Sequence, residues 1–318
     1  MWIQILLLIL GLLLLVKGAN LLVDGASALA KRYNISDLAV GLTVVAFGTS
    51  TPELLVNSFA AYNGNSEIVL GNIIGSNNFN LFAILGISGL ITPLIVKSST
   101  VWKEIPISFV AIILLFITAN DFFIGNSMIL SRLDGFLLLI LFGMFVYYIF
   151  KQLRTETPQP IELQKKISNA KIWIFILLGL AGLILGGKLF IMNATEMAVL
   201  LGIGEKVIGL TIVAAGTSLP ELVTSVVAAM KKNNDIAVGN IIGSNIFNIF
   251  FILGISSIIS PISYNLSFNA DLYILTGGTV FLFIAMFTGQ KKKLDRWEAA
   301  VLLVIYIFYL AFLIEKAV

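Results

Sequence analysis

The chain has 318 residues, of which 58% are hydrophobic and 12% charged, and its mean hydropathy is +1.01. A soluble domain usually carries about 25% charged residues, and a soluble fold of this length could not bury so much apolar surface. The composition therefore predicts a protein that lies in a lipid bilayer. The sequence has no histidine and no cysteine, which excludes disulfides, zinc–thiolate sites and enzyme mechanisms that need a histidine base or a cysteine nucleophile. The net charge of +3 does not indicate a nucleic-acid partner.

Ten apolar stretches are each long enough to cross the hydrocarbon core as a helix, so the sequence predicts an all-α membrane protein with ten transmembrane helices. The first stretch begins at residue 2 without a positive n-region or a small-residue cleavage site, which favours a retained span over a signal peptide. The predicted spans lie near 2–16, 38–62, 67–92, 104–119, 133–150, 172–190, 206–230, 236–260, 271–289 and 297–314.

Lysine and arginine are distributed unevenly among the loops between these spans. When the loops are taken alternately, one set holds 16 of the 20 basic residues and the other set holds four. Because cytoplasmic loops of membrane proteins collect Lys and Arg, the first set is predicted to face the cytoplasm. Both termini then lie outside, the chain sits in the plasma membrane, and the segment 152–170 is a cytoplasmic linker that is too short to fold as a domain.

Self-comparison shows an internal repeat. Residues 41–94 align without a gap to residues 209–262, at an offset of 168, with 32 identities in 54 positions. The first copy contains GTSTPE and GNIIGSNNFN, and the second contains GTSLPE and GNIIGSNIFN. The chain is therefore predicted to consist of two five-span halves, 1–151 and 171–318, joined by 152–170. Since five is odd, matching spans would cross the membrane in opposite directions, which is the inverted-topology architecture of secondary transporters.

Each repeat places a Pro–Glu pair in the middle of an otherwise apolar span. Pro52 has no N–H to donate to the carbonyl of Gly48, and Pro220 has none to donate to that of Gly216. Each span is therefore predicted to break beside the Thr–Ser pair of its GTS motif. Irregular backbone at this depth is tolerated where it is buried in protein or lines a wet cavity. A plain proline kink is the alternative interpretation, and the glutamate that follows the proline in both copies argues against it.

Glu53 and Glu221 are the acidic residues that the predicted spans place deep in the membrane. A carboxylate there costs at least about 2.5–3.5 kcal/mol, and the Lys and Arg residues that could balance it lie in loops or at the ends of the predicted spans. A dissociable cation or a proton must therefore neutralise the pair. Two carboxylates about 5 Å apart repel each other by roughly 3 kcal/mol at an effective dielectric constant near 20. A proton shared by the pair is therefore predicted to compete with cation binding at acid pH.

The GN segments supply neutral oxygen ligands. Ser76 and Asn80 are spaced i,i+4 and share a helix face, as do Ser244 and Asn248. Two interpretations remain open for Asn72 and Asn240, the first Asn of each segment. Each residue could form a hydrogen bond between helices or could have a role near the site. Because every available ligand is oxygen, Ca²⁺, Na⁺ or K⁺ are favoured over softer metals. Two carboxylates balance one Ca²⁺ or two Na⁺, so that mutual exclusion at one site predicts antiport.

The paired GTSxPE and GNIIGSNxFN segments resemble the α-repeats of the calcium/cation antiporter superfamily, specifically those of the prokaryotic sodium/calcium exchangers. The resemblance implies exchange of several Na⁺ for one Ca²⁺ by alternating access, with no cofactor and no enzymatic activity. It also implies that the first and sixth spans form a bundle that slides against the other eight. The implied Ca²⁺ ligands are Glu53, Glu221, Thr49 and Thr217, and the implied Na⁺ ligands and supporting shell are Ala46, Ser50, Ser76, Asn80, Ala214, Ser218, Ser244 and Asn248.

Several alternatives remain open at this stage. Some relatives carry Asp at the position of Asn248, and in the potassium-dependent branch that Asp is tied to K⁺ co-transport, so Asn248 favours potassium independence. A proton/calcium antiporter would use the same two glutamates, and a cation channel is a further alternative. An intramembrane acid-pair enzyme would leave the repeated hydroxyl and amide groups unexplained. We expect a monomer whose partners are Ca²⁺, Na⁺ and the lipid bilayer.

Overall fold

The computed structural model describes residues 2–120, 128–155, 168–202, 214–289 and 292–317. Almost all of these residues are helical, because long apolar segments in lipid must satisfy their backbone hydrogen bonds internally. The helices are α1 (Trp2–Tyr33), α2 (Asp37–Thr49), α3 (Thr51–Tyr62), α4 (Ser66–Ile91), α5 (Thr100–Ala119), α6 (Arg132–Thr155), α7 (Asn169–Leu200), α8 (Ala214–Gly216), α9 (Leu219–Met230), α10 (Asn234–Ile259), α11 (Leu266–Ala285) and α12 (Arg296–Ala317).

The described helices confirm a multi-pass, all-helical membrane protein. Within the described ranges, eight helices are long and apolar enough to cross a bilayer, and the bent pair α2–α3 forms a ninth candidate span. The predicted span 206–230 is described from Ala214 onward, as α8 and α9, and its first part lies outside the described residues. The structure therefore supports the class of fold, whereas the count of ten spans stays a prediction.

Two helices are much longer than their predicted spans. The sequence predicted spans near 2–16 and 172–190, but α1 and α7 each continue for 32 residues. In α1 the apolar run is interrupted by Lys17, which is why the predicted span stopped there. The helix continues because Leu22, Ala26 and Leu29 form a buried face beyond that lysine. Burial against the rest of the protein, and not hydropathy, therefore decides where α1 ends.

Helices α1 and α7 pack against each other in an antiparallel pair through glycine. A methyl group placed on Gly18 would lie 2.7 Å from the carbonyl oxygen of Gly179, and one placed on Gly186 would lie 2.8 Å from that of Gly11. The backbones approach so closely that a side chain does not fit between them, as in small-residue interfaces of other membrane helices. We call this contact the glycine seam.

Two short antiparallel ribbons connect the two halves of the chain. Strand β1 (Leu94–Ile95) pairs with β4 (Lys293–Leu294), and β2 (Ile129–Leu130) pairs with β3 (Ile262–Ser263). Each ribbon takes one strand from the loops of the first half and one from the loops of the second half. Neither ribbon includes a residue of α1 or α7.

The most buried spans, α4 and α10, lie at the centre of the molecule. Helix α10 packs against α2 through its glycines, since a methyl group on Gly243 would lie 2.8 Å from the Cβ of Ala46. Each central helix contains a segment of wider, π-helical turns, Phe79–Ile84 in α4 and Phe247–Leu253 in α10. Such segments are frequent at functional sites, and both segments begin one residue before an asparagine of the predicted site.

Candidate cation site

The predicted helix breaks are present in both repeats. Ser50 leaves helical geometry with φ −83° and ψ 9°, and Ser218 does so with φ −89° and ψ 9°. The helices on either side of Ser50, α2 and α3, are bent by 49°. In both copies the proline is the second residue of the helix that follows, where its missing N–H costs no intrahelical bond. The breaks therefore confirm the structure predicted from Pro52 and Pro220.

The breaks carry the two glutamates into a common interior. Glu53 and Glu221 lie in the first turns of α3 and α9, and the exposed fraction of each residue is 1%. Ser218 donates a hydrogen bond to Oε1 of Glu53 at 3.0 Å, and Ser50 donates one to Oε1 of Glu221 at 2.8 Å. Each carboxylate is thus held by the serine of the other repeat, and the two half-sites face each other.

Neither carboxylate has a basic partner among the described residues. The ion pairs found there join Lys97 to Asp235, Lys231 to Asp24 and Lys293 to Asp295. In the described ranges, the second carboxylate oxygen of each site glutamate accepts no hydrogen bond. A buried charge without a partner is costly, so a ligand that supplies positive charge would stabilise this arrangement.

The threonines of the GTS motifs bind asparagines of the opposite repeat. Thr49 donates a hydrogen bond to Oδ1 of Asn240 at 3.0 Å, and Asn72 donates one to the hydroxyl oxygen of Thr217 at 3.1 Å. The sequence left open whether Asn72 and Asn240 bond between helices or lie near the site. The structure places both asparagines in bonds between the repeats, directly beside the glutamate segments.

The hydroxyl and amide residues of α4 and α10 complete the interior. The hydroxyl oxygen of Ser244 lies 3.0 Å from that of Ser50, and Ser76, Asn80 and Asn248 are at most 1% exposed. Within the described part of the chain, the Ser76 hydroxyl and the Oδ1 atoms of Asn80 and Asn248 have no hydrogen-bond partner. Together with one oxygen from each glutamate, these atoms form a set of buried oxygens without donors.

The two alanines of the predicted site can contribute only backbone oxygen. Ala46 is buried in α2, where its carbonyl oxygen accepts a hydrogen bond from the Ser50 amide at 3.0 Å and lies 3.3 Å from the Thr49 hydroxyl oxygen. Ala214 is the first residue of α8, and its side chain lies outside what the structure describes. The described residues hold no cluster of three or more acidic groups, so further ligands for a cation would be neutral oxygens.

Comparison with known families matches the description "Sodium/calcium exchanger protein" to residues 3–151 and 171–315 of this chain. The chain belongs to the sodium/calcium exchanger family. The sodium/calcium exchanger MaX1 of Methanosarcina acetivorans is 33% identical to it, with 98% of each sequence covered. The inner membrane protein YrbG of Escherichia coli is 34% identical over 80% of this chain and 79% of its own length. The solved structure of the sodium-calcium exchanger NCX_Mj, soaked with zero Na⁺ and Ca²⁺, superposes with a TM-score of 0.83, 32% identity and 98% coverage of both chains.

In this exchanger the two half-sites are not identical. Asn57 donates a hydrogen bond to Oδ1 of Asn72 at 2.6 Å, whereas the equivalent residue of the second repeat is Ser225, which accepts one from Nδ2 of Asn240 at 2.9 Å. Asn72 therefore turns its carboxamide oxygen toward α3, whereas Asn240 turns its NH₂ group toward α9. This pair of positions does not stand out in the sequence, because the two residues differ between the repeats.

Two further buried asparagines, which are the same in both copies, were not predicted as site residues from the sequence. Asn77 and Asn245 follow the site serines in the GSN motifs, and they are 0% and 4% exposed. Their presence in both copies was the available signal. They were passed over because their i,i+1 spacing from the serines places them on another face of the helix.

Proposed function

We propose that this protein is a secondary transporter that exchanges Na⁺ for Ca²⁺ across the membrane by alternating access. The observation that carries the proposal is the pair of buried glutamates, Glu53 and Glu221, each held by a serine of the other repeat and each retaining an oxygen without a donor. Membership of the sodium/calcium exchanger family and the similarity to NCX_Mj support the choice of ions.

The proposed ligands follow from the types of oxygen that the site offers. Calcium prefers carboxylate and carbonyl oxygens, so we assign it to the two glutamates with backbone oxygens of Thr49 and Thr217. Sodium accepts neutral oxygens, and its proposed ligands and supporting shell are Ala46, Ser50, Ser76, Asn80, Ala214, Ser218, Ser244 and Asn248. The site charge then depends on the two glutamates alone, and one Ca²⁺ or two Na⁺ balance it.

The neutral residue at position 248 supports exchange without potassium. Asn248 and its counterpart Asn80 each offer one amide oxygen and no charge. A third cation charge in the site would therefore have no carboxylate to balance it, and we propose that K⁺ is not co-transported.

The proposed topology has ten spans in two inverted five-span halves. Contacts that exchange between the repeats support it, since Ser50–Glu221 becomes Ser218–Glu53 under the offset of 168. The ribbon β1–β4 likewise has the counterpart β3–β2, in which β1 and β3 are related by 168 residues and β4 and β2 by 164. From the distribution of basic residues we propose that both termini face outward and that 152–170 faces the cytoplasm of a plasma-membrane protein. We further propose that one chain is sufficient for transport, because the site is built within it.

The packing of α1 and α7 breaks this internal symmetry and supports alternating access. Helix α1 packs along α9, whereas the equivalent contact of α7 with α3 is almost absent among the described residues. Accordingly, Val227 of α9 is 7% exposed, and its counterpart Phe59 of α3 is 70% exposed. With the proposed topology, the cytoplasmic half of the site is covered and the outer half is not. We therefore assign the structure to an outward-facing state.

The decisive experiment is sodium-gradient-driven ⁴⁵Ca²⁺ uptake into proteoliposomes. We expect uptake by the intact protein and its loss in Glu53→Gln and in Glu221→Gln, because each change removes half of the site charge. The matched control is Glu67→Gln, which makes the same chemical change on an exposed residue and should transport normally. Uptake that survives either site variant would contradict the proposal.

The same assay separates the alternative mechanisms. Replacement of Na⁺ by choline should abolish Ca²⁺ movement, whereas uptake that persists and follows an imposed proton gradient would indicate proton/calcium antiport. A channel would give unitary currents in planar bilayers and flux that does not saturate. Added K⁺ should leave the rate of exchange unchanged.

A further inference from the structure

We propose that Asn77 and Asn245 are positioning residues that turn the carboxamides of Asn80 and Asn248 so that their oxygens face the transported cations. This inference rests on the proposed function and extends it to residues that do not themselves bind ions. It is carried by a network of hydrogen bonds at the interface of α4 and α10, which we call the amide brace, and which consists of Asn77, Asn80, Asn245 and Asn248.

The brace begins with two bonds from side chain to backbone. Nδ2 of Asn77 donates to the carbonyl oxygen of Asn245 at 3.3 Å, and Nδ2 of Asn245 donates to that of Asn77 at 3.5 Å. These bonds exchange under the offset that relates the repeats. Because a backbone carbonyl can only accept, each of these side chains must present its NH₂ group to it. The orientation of both carboxamides is thereby fixed.

The remaining oxygen of each fixed carboxamide determines the orientation of a second asparagine side chain. Oδ1 of Asn77 accepts a hydrogen bond from Nδ2 of Asn248 at 2.8 Å, and Oδ1 of Asn245 accepts one from Nδ2 of Asn80 at 3.0 Å. An acceptor requires a donor opposite it, so Asn80 and Asn248 must each turn their NH₂ groups toward the brace. Their own oxygens must then point away from it.

These two outward oxygens are the ones left without a donor. Oδ1 of Asn80 and Oδ1 of Asn248 are buried and accept no hydrogen bond from any residue that the structure describes. A buried acceptor without a partner costs about 1–3 kcal/mol, and a bound cation would offset that cost. If either carboxamide were turned over, it would present an NH₂ group to the cation and repel it. The brace therefore selects the orientation that binds cations.

The brace also accounts for a neutral residue at position 248. A carboxylate there would have no donor for Oδ1 of Asn77, so two acceptors would meet at a distance of one hydrogen bond. Asn77 cannot turn over to relieve this contact, because its NH₂ group is held by the backbone of Asn245. The surroundings of Asn248 therefore match an amide.

A double-mutant cycle tests the brace. In proteoliposomes, the Na⁺ concentration that gives half-maximal Na⁺-dependent ⁴⁵Ca²⁺ flux is measured for Asn77→Leu, for Asn248→Ala and for the double variant. Leucine has a similar size but makes no hydrogen bond, and a bond worth about 1 kcal/mol predicts an increase of about fivefold in that concentration. We expect Asn77→Leu to have no further effect once Asn248 is alanine, because Asn77 acts through it.

A second double-mutant cycle, which pairs Asn77 with Asn80, is the matched control. Asn77→Leu combined with Asn80→Ala should give effects that add, since Asn80 is held by Asn245 and not by Asn77. A merely structural role of Asn77 would give the same coupling in both cycles, and that result would overturn the inference. Asn77→Ser, whose hydroxyl can both donate and accept, should recover part of the lost Na⁺ affinity.

If Asn77→Leu does not fold, the equivalent cycle of Asn245→Leu with Asn80→Ala carries the test. Equilibrium binding of Na⁺ and Ca²⁺ to the purified variants separates this inference from the proposed function. Coupling in binding without Na⁺-driven flux would support the brace and contradict exchange. Flux without coupling would support exchange and overturn the brace.

Discussion

The glycine seam between α1 and α7 allows a prediction whose size follows from the structure. In Gly18→Ala the new methyl carbon would lie 2.7 Å from the carbonyl oxygen of Gly179 and 2.8 Å from the amide nitrogen of Leu183. Both atoms belong to the backbone, so no side chain can rotate to relieve the contact. The two helices must therefore move apart along the whole seam, which loosens the close contacts at the neighbouring glycines.

The expected loss of stability is about 1–2 kcal/mol. Overpacking of a close interface costs about 1–3 kcal/mol, and alanine regains about 0.5–1 kcal/mol over glycine as a helix former. For a chain of this size, each kcal/mol corresponds to a shift of about 2–4 °C in Tm. Gly18→Ala should therefore lower Tm by several degrees.

The measurement is thermal unfolding of the purified protein in detergent. The matched control is Gly143→Ala in α6, where a new methyl carbon would meet no atom of the described residues within 4 Å. That substitution should leave Tm unchanged or raise it slightly, because only the gain in helix formation remains. Equal Tm values for the two variants would refute the packing argument.

Three further predictions concern transport. Ser50→Ala and Ser218→Ala should each weaken apparent cation affinity about tenfold, because each loses a bond to a buried carboxylate worth about 1.5 kcal/mol; an effect in only one of them would show that the serines are not equivalent. Calcium uptake should fall as the pH on the binding side is lowered from about 8 to about 5, since a proton neutralises the pair of site carboxylates, and a flat profile would contradict that competition. Asp24→Asn removes the ion pair to Lys231, at 2.7 Å, which joins α1 to the C-terminal end of α9 on the side that the proposed topology makes cytoplasmic. Because the chain has no cysteine, Val227→Cys can report access to the covered face of α9, and its labelling from the cytoplasmic side should rise up to about fivefold in the Asp24→Asn background. Unchanged labelling would mean that the ion pair does not hold this face closed.

The convergence of the two buried glutamates was easier to predict than the ends of the helices. Repetition at a fixed offset marked Glu53 and Glu221, and the structure brings both residues into one interior, where each accepts a hydrogen bond from the serine of the other repeat. No comparable signal marked the end of α1. Its buried face beyond Lys17 depends on contacts with helices far away in the chain, and a local hydropathy pattern does not contain such contacts.

The orientation of the asparagine side chains also could not be predicted from the sequence. The repeated GSN motif contains Asn77 and Asn245, but the partners of an amide depend on how α4 and α10 cross. The difference between Asn57 and Ser225 gave still less warning, since a position that differs between two copies looks unconstrained. Only the hydrogen bonds to Asn72 and Asn240 show that both residues support the same asparagine position.

The two β-ribbons have a mechanical consequence. Each ribbon fastens a loop of one half to a loop of the other. Backbone hydrogen bonds therefore tie together, at two places, the helices that adjoin these loops, which are α4, α5, α6, α10, α11 and α12. Helices α1 and α7 take no part in either tie, and the close backbone contact of the glycine seam binds them to each other. A rocking or sliding of this pair, as the proposed alternating access requires, can therefore leave the strand–strand hydrogen bonds of both ribbons intact.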